Sequence, residues 1–354
     1  MPSDPPGNDQ RARATLSEVA SLAEVSISTV SKVLNGRTGV SRETRARIEA
    51  LLQNHQYSPR VSKRNAAPLI EVLCYEMESP FASEILARIE LTVRERSIGM
   101  VLTGATERHL PERNWVDAVL RRQPLGVILV ASVLPAGDKQ RLLSRNIPLV
   151  MVDPAGALEP DVPSIGSADW NGGYLATRHL IDLGHRDIGI ITGPGTMLAA
   201  TARLSGYRAA LDAAQLPLDP DLIRPGEFHH RDGVEEGRQL LSRPARPTAI
   251  FASSDLVALG VYEAARSLGI AIPADLSVVG YDDLRIAQWA GPPLTTIHVP
   301  LVAMAEQAVR LVLRMRDQPD LAFSRIDLDT SLVVRESTTA PRRAGRRHGA
   351  KVSH

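Results

Sequence analysis

The chain has 354 residues, 44% of them apolar, which is too long for one small domain and suits a small module joined to one or two α/β lobes. Its single cysteine, Cys74, excludes a disulfide framework and fits a reducing cytoplasm, and no run approaches the ~20 apolar residues of a membrane helix. The net charge of +1 hides an asymmetry: residues 1–66 carry ten basic and six acidic side chains, residues 341–354 five basic and no acidic, and residues 67–340 26 basic and 34 acidic, a basic head on an acidic body.

Residues 1–14 are rich in Pro, Asp, Arg and Gly and hold no stretch of signal-peptide length, so they are expected to form a disordered leader. Thr15 followed by Glu18 is a capping-box pattern before an apolar run. Leu16, Val19, Ala20 and Ala23 then share one face of a helix. The pattern breaks at Glu24-Val25, and Ser26 is placed to cap a second helix with Val30, Val33 and Leu34 buried. Ile27, Ser28, Ser31, Lys32 and Asn35 are left outward, together a set of hydroxyls, an amide, a cation and an aliphatic group. These suit hydrogen bonds to base edges and contact with a thymine methyl. Ser41 can cap a third helix with Ile48, Leu51 and Leu52 apolar. Periodicity alone serves equally a small three-helix scaffold with solvated serines.

From residue 68 strands alternate with helices. Leu69–Cys74, Met100–Thr103, Gly126–Ala131 and Pro148–Val152 read as strands between helices at Phe81–Arg96, Trp115–Arg121 and Lys139–Arg145. A second series follows, with helices at Gly173–Leu183, Arg203–Ala214, Gly233–Leu241 and Leu256–Leu268. Its strands are Ile188–Ile191, Ala249–Ala252 and Ser277–Tyr281. Two series of βαβ units imply two doubly wound parallel-sheet lobes, with ligands at the carboxyl ends of the strands and so in the cleft between lobes.

Position and chemistry then nominate ligand groups. A small polar ligand in such a cleft needs carboxylates, an Arg or amide, and an aromatic platform. Ser79 and Phe81 follow the first strand, Asp153 ends a later one, Arg203 precedes Leu204-Ser-Gly206, Phe228 follows Gly226-Glu227, and Asp282 ends the strand that begins at Ser277. Phe81 and Phe228 read either as stacking platforms or as ordinary core residues. Ser254 and Asp255 sit at another strand end, where Asp255 either caps the following helix or faces a ligand.

The ordered run Val19-Ala20…Ala23-x-Val25-Ser26-x-Ser28-Thr29-Val30-Ser31-x-Val33-Leu34-Asn35, with Val40-Ser41-x-x-Thr44-Arg45 and Tyr57-x-Pro59, closely resembles the amino-terminal signature of the lac repressor family of bacterial transcription regulators. The resemblance continues through Leu183-Gly184-His185-Arg186, Arg203-Leu204-x-Gly206-Tyr207, Asp255-x-x-Ala258-x-Gly260, Val278-Val279-Gly280-Tyr281-Asp282-Asp283 and Pro293-Leu294-Thr295-Thr296-Ile297. It implies an all-α helix-turn-helix head over 15–57, a linker over 58–67, and an α/β core over 68–340 that looks like periplasmic sugar-binding proteins. In that core an N-lobe of about 68–166 and 298–326 faces a C-lobe of about 167–297 and 327–340. The implied partners are an operator duplex, a small carbohydrate effector and a second copy of the chain, with no cofactor, no metal and no membrane. Thr15, Ser26, Ile27, Ser28, Thr29, Ser31, Lys32 and Asn35 would contact DNA, and Arg203 and Asp282 would pair with effector hydroxyls.

Two stretches depart from the family pattern. The family linker carries a Leu that wedges into the minor groove, but Pro59–Pro68 places Ala66 there, too short to unstack a base step. Arg60, Lys63 and Arg64 are expected to bind phosphates instead. The basic tail 341–354 lacks apolar heptads, so a dimer is expected rather than a coiled-coil tetramer, with a disordered tail adding nonspecific DNA affinity.

Other functions are weaker. Ile191-Thr-Gly193-Pro-Gly195 lacks the third spaced glycine of a phosphate loop, the histidines show no metal spacing, and no Gly-x-Ser-x-Gly elbow occurs. An α/β enzyme acting on a sugar is therefore disfavoured. A transport-type sugar-binding protein shares the core but not the head.

Overall fold

The structure, a computed structural model, describes residues 16–34, 39–54, 67–106, 109–156, 162–318 and 325–342. Thr15, Asn35, Arg60, Lys63 and Arg64 lie outside them, as do the leader, nearly all of the linker and most of the tail.

The head is three helices, α1 (Leu16–Leu22), α2 (Ile27–Leu34) and α3 (Arg42–Asn54). Their apolar stripes meet in one small core of Val19, Ala20, Ala23, Val30, Val33 and Ile48, edged by Leu16, Val25, Val40, Leu51 and Leu52. Glu24, at φ +53°, makes the tight turn between α1 and α2. Ser26 and Ser41 cap the following helices by accepting from Thr29 N (3.2 Å) and Thr44 N (3.1 Å), each cap being worth about 1 kcal/mol.

The N-lobe begins with β1 (Leu69–Cys74), α4 (Pro80–Arg94), β2 (Gly99–Gly104), α5 (Trp115–Arg122), β3 (Gly126–Val130), α6 (Ala136–Leu143), β4 (Leu149–Val152) and β5 (Ser164–Ser167). The chain then crosses to the C-lobe: α7 (Asp169–Asp182), β6 (Ile188–Ile191), α8 (Leu198–Ala213), β7 (Ile223–Arg224), α9 (His230–Leu241), β8 (Ala249–Ala252), α10 (Asp255–Ser267), β9 (Ser277–Asp282), α11 (Arg285–Trp289) and β10 (Thr295–His298). It returns through α12 (Leu301–Asp317) and β11 (Ile326–Leu328) and crosses a third time to β12 (Ser331–Val333).

Each lobe is a six-stranded sheet, ordered β11-β5-β4-β3-β1-β2 and β12-β10-β9-β8-β6-β7. All pairs are parallel except β10–β12. Strands β3, β4, β6 and β8 are buried along their whole length, as helices on both faces require. β11 pairs with β5, so residues 327 and 328 belong to the N-lobe sheet, against the expected boundary after 326. The third crossing falls between Leu328 and Ser331.

Helices α7, α8 and α9 start about one turn before the expected Gly173, Arg203 and Gly233. Gly173 and Gly233 mark close helix approach and not helix ends. A Cβ on Gly173 would overlap the main chain of Arg203, and one on Gly206 that of Trp170. The close crossing of α7 and α8 is what brings Arg203 beside Asp169.

Candidate functional site

On the head, Ile27 is 51% exposed at the start of α2, and Ser28 and Lys32 are exposed beside it. Thr29 and Ser31 are half-buried, so the outward face is narrower than the spacing predicts. The Ser26 hydroxyl lies 2.8 Å from those of both Ser28 and Thr29, a linked row of groups at the amino end of α2. This end also carries the unsatisfied N–H groups and positive dipole that suit a phosphate. Ile27, Ser28 and Lys32 are the exposed side chains of this face.

In the core, a cavity of about 390 Å³ lies between the lobes at the carboxyl ends of their strands. It is lined by Ser79, Phe81, Asp153, Arg203, Phe228, Ser254 and Asp282 of the expected set. Tyr75, Glu76, His109, Met197, Glu227 and His229 join them. Six lining residues, Glu76, His109, Ala131, Asp153, Phe228 and Asp282, have positive φ. Backbone strain in non-glycine residues concentrates where it aims side chains at a site.

Arg203, four per cent exposed, is the charged centre. Its Nε donates to Asp169 Oδ1 (2.8 Å) and its Nη1 to the Ser253 carbonyl (2.7 Å), with Asp282 Oδ1 3.7 Å from Nη1. The guanidinium lies 3.7 Å from the Tyr281 ring centroid and 5.4 Å from that of Phe228. Burial alone disfavours its charge, but Asp169, Tyr281, Asp282 and Asp153 outweigh burial and hold its pKa above the ordinary value. Asp282 is pushed well up by burial, against the pull of Arg203, and its Oδ1 finds no hydrogen-bond partner. A buried oxygen without a donor costs about 1–3 kcal/mol, and here it faces a cavity where a ligand hydroxyl can supply one. Asp153, at the end of β4 with φ +48°, is raised to about 6 by burial and by Asp169.

Phe228 reaches the cavity because Gly193 has no side chain: a Cβ there would overlap its ring. The Gly193-Pro-Gly195 turn thus seats an aromatic ring. Ser79 caps α4 by accepting from Ala82 N (3.2 Å), and Ser254 caps α10 while donating to the Phe228 carbonyl (3.2 Å). Both line the cavity with hydroxyls already engaged.

Asp255 stands elsewhere than its place at a strand end predicts. It does not line the cavity and is not the cap of α10, which is Ser254. Its buried carboxylate accepts from Leu284 N (2.8 Å) and Thr296 Oγ1 (2.6 Å), tying the turn after β9 to β10. Burial raises its pKa to about 7, against those two hydrogen bonds. His185, also inside a family-like motif, is buried and bonded to Thr248 and Ser277, where it pins the returning carboxyl-terminal segment through the Thr339 carbonyl.

His109 and Tyr75 were absent from the expected set. His109 comes from the long loop after β2, where no periodicity marks it, and Tyr75 follows β1 directly, a strand-end signal of the kind that nominated Asp153. Across the cleft mouth, His229 Nε2 meets Glu76 Oε1 (2.9 Å), joining the lobes. No group of three or more His, Cys, Asp or Glu placed to hold a metal ion is found among the described residues. Within them, no helix is long and apolar enough to cross a membrane.

Comparison with known proteins follows this division of the chain. The family "Bacterial regulatory proteins, lacI family" matches residues 15–60, and a periplasmic binding protein-like domain matches residues 177–338. The ribose operon repressor of Escherichia coli (strain K12) is 36% identical over 330 residues, covering 92% of this chain and 99% of that protein. Among solved structures, the transcriptional regulator CelR–cellobiose complex is 32% identical with a TM-score of 0.69, covering 92% and 100% of the two chains. The lac repressor dimer bound to operator and the anti-inducer ONPF is 28% identical with a TM-score of 0.69, covering 93% and 100%.

Proposed function

From its membership of the lacI family of bacterial regulatory proteins, we propose that the chain represses carbohydrate-utilisation genes as a cytoplasmic homodimer, holding a palindromic operator and releasing it when a small sugar fills the cavity between its lobes. The observation that carries the reading is Asp282 Oδ1, buried, unpartnered and 3.7 Å from Arg203 Nη1 in that cavity. A carboxylate beside a guanidinium offers adjacent acceptor and donor positions, the pattern of vicinal sugar hydroxyls. Phe228 and Phe81 offer apolar ring faces to the sugar.

On the head, Ile27, Ser28 and Lys32 read base edges in the major groove, while Ser26, Thr29 and Ser31 position the helix. In a dimer, two copies of α2 lie about one helical turn apart on the operator. The sugar acts by binding the two lobes in one relative arrangement and so biasing the heads of the dimer. A coupling of about 1–3 kcal/mol gives a 5–150-fold change in operator affinity. The chain has no catalytic part in this scheme.

The test is titration of a fluorescent operator duplex at fixed salt, with and without sugars. Lys32→Ala should weaken binding by about 1–3 kcal/mol if the side chain reads a base. Unchanged affinity would remove α2 as the reading helix. Asp282→Asn should keep operator binding and lose release by sugar, and a variant that still responds would sink the cavity assignment.

A further inference from the structure

The groups around the cavity are mostly acceptors. Glu76, Glu78, Asp153, Glu227 and Asp282 bring five carboxyl groups against the single guanidinium of Arg203. That guanidinium is already shared by Asp169 and Asp282. A phosphate entering this cavity would meet carboxylates and no free cation.

His109 completes the pattern from the N-lobe. Its Nδ1 lies 2.8 Å from the Ala131 carbonyl oxygen, which has no proton to give, so Nδ1 carries the hydrogen. In the neutral ring Nε2 is then a bare acceptor. The orientation is held on two further sides: the ring packs on Tyr75 (centroids 3.8 Å apart), and the His109 carbonyl accepts from Val133 N (2.9 Å). No protein partner of Nε2 is found among the described residues.

We propose that His109 is a specificity-determining residue of the cavity: its Nε2 accepts a hydrogen bond from a hydroxyl of the effector, and together with the surrounding carboxylates it selects an unphosphorylated sugar over the corresponding sugar phosphate. This rests on the reading of the cavity as the effector site.

A pair of substitutions separates an acceptor role from a packing role. In His109→Asn the side-chain amide can replace Nδ1 toward Ala131 but has nothing at the Nε2 position, and asparagine tolerates the φ of +58° found there. In His109→Gln the longer side chain can return an acceptor near Nε2 and gives up the Ala131 bond. The full-length protein is titrated calorimetrically with D-ribose, D-glucose and cellobiose, then with ribose 5-phosphate and glucose 6-phosphate. At least one unphosphorylated sugar should bind, and each phosphate tested should bind roughly tenfold or more weakly than its parent sugar. His109→Asn should weaken the sugar that binds by roughly tenfold, with operator affinity unchanged, and His109→Gln should recover part of the loss. Wild-type sugar affinity in His109→Asn, or a phosphate that binds as tightly as its sugar, overturns the proposal while leaving the effector site in place. If none of the five compounds binds to a protein that still holds its operator, the sugar reading of the cavity fails, and this proposal with it.

Discussion

The two walls of the cavity are built differently. On the C-lobe side Arg203 is bonded to Asp169 and to the Ser253 carbonyl, lies against Tyr281 and stands beside Asp282. Phe228 is seated on Gly193. Arg203 stands on α8 and Asp169 on α7, two helices brought together at Gly173 and Gly206, and Tyr281 and Asp282 end β9. On the N-lobe side Asp153 comes from the end of β4, His109 from the loop after β2, and Ser79 and Phe81 from the cap and first turn of α4; Ser79 accepts from Ala82 N, and His109 Nδ1 meets the Ala131 carbonyl. The C-lobe wall is thus a preorganised anchor whose guanidinium is bonded before any ligand arrives, with Asp282 Oδ1 left open as an acceptor. The N-lobe wall is more lightly tied, and no protein partner of His109 Nε2 is found among the described residues. Preorganisation on one side lowers the entropic cost of binding, and freedom on the other allows the bound state to differ from the empty one.

The largest effect that can break this contrast is loss of Arg203. Arg203→Ala leaves Asp169 and Asp282 buried without their cation, and breaking such a network costs about 3–5 kcal/mol in denaturant unfolding. A loss under about 1 kcal/mol would mean that the C-lobe wall is not held by charge pairing. Next comes Gly193→Ala, whose methyl group must displace the Phe228 ring. Overpacking of this kind costs about 1–3 kcal/mol and should weaken sugar binding while sparing the operator. Unaltered calorimetric affinity would show that Phe228 is not part of the binding surface.

The smallest effect belongs to the N-lobe wall. Asp153 is pushed up to about 6 by burial and by Asp169, from an ordinary 3.8. Sugar affinity should rise as pH is raised from about 5 to 7, since the ionised carboxylate is the better acceptor, and Asp153→Asn should flatten that rise. Stability runs the other way. Because the folded pKa is the higher one, the group favours the fold fully below pH 3.8, and that contribution is lost as pH rises through about 6. A pH-independent affinity in the wild type would take Asp153 off the ligand.

Legibility in the sequence followed the range of the interactions. The head was readable because its caps, its turn and its stripes all lie within a few residues of one another: Ser26 to Thr29, Ser41 to Thr44, Val30 to Val33. The central strands were readable as short apolar runs, and their ends pointed to Asp153, Asp282 and Phe228. Short elements were harder. β7, β11 and β12 have two or three residues each, too few to show a period, and β5, Ser-Ile-Gly-Ser, carries a single large apolar side chain. Helix α12 is different, since Leu301, Met304, Ala305, Ala308 and Val309 do carry the helical spacing. Asp255 was read as either a cap or a ligand group and is a buried tie to Leu284 and Thr296, partners 29 and 41 residues away.

By itself the sequence determined the division into a helix-turn-helix head and a two-lobed α/β core, and with it the family. Periodicity, capping and strand-end chemistry are local, and each is written in neighbouring residues. The tertiary structure decided which polar groups keep spare valence. It bonds Arg203 to Asp169 across a glycine contact between two helices, leaves Asp282 Oδ1 without a donor, and turns Asp255 away from the cavity. Hydrogen bonds saturate, and only the folded arrangement shows which partners have already been taken.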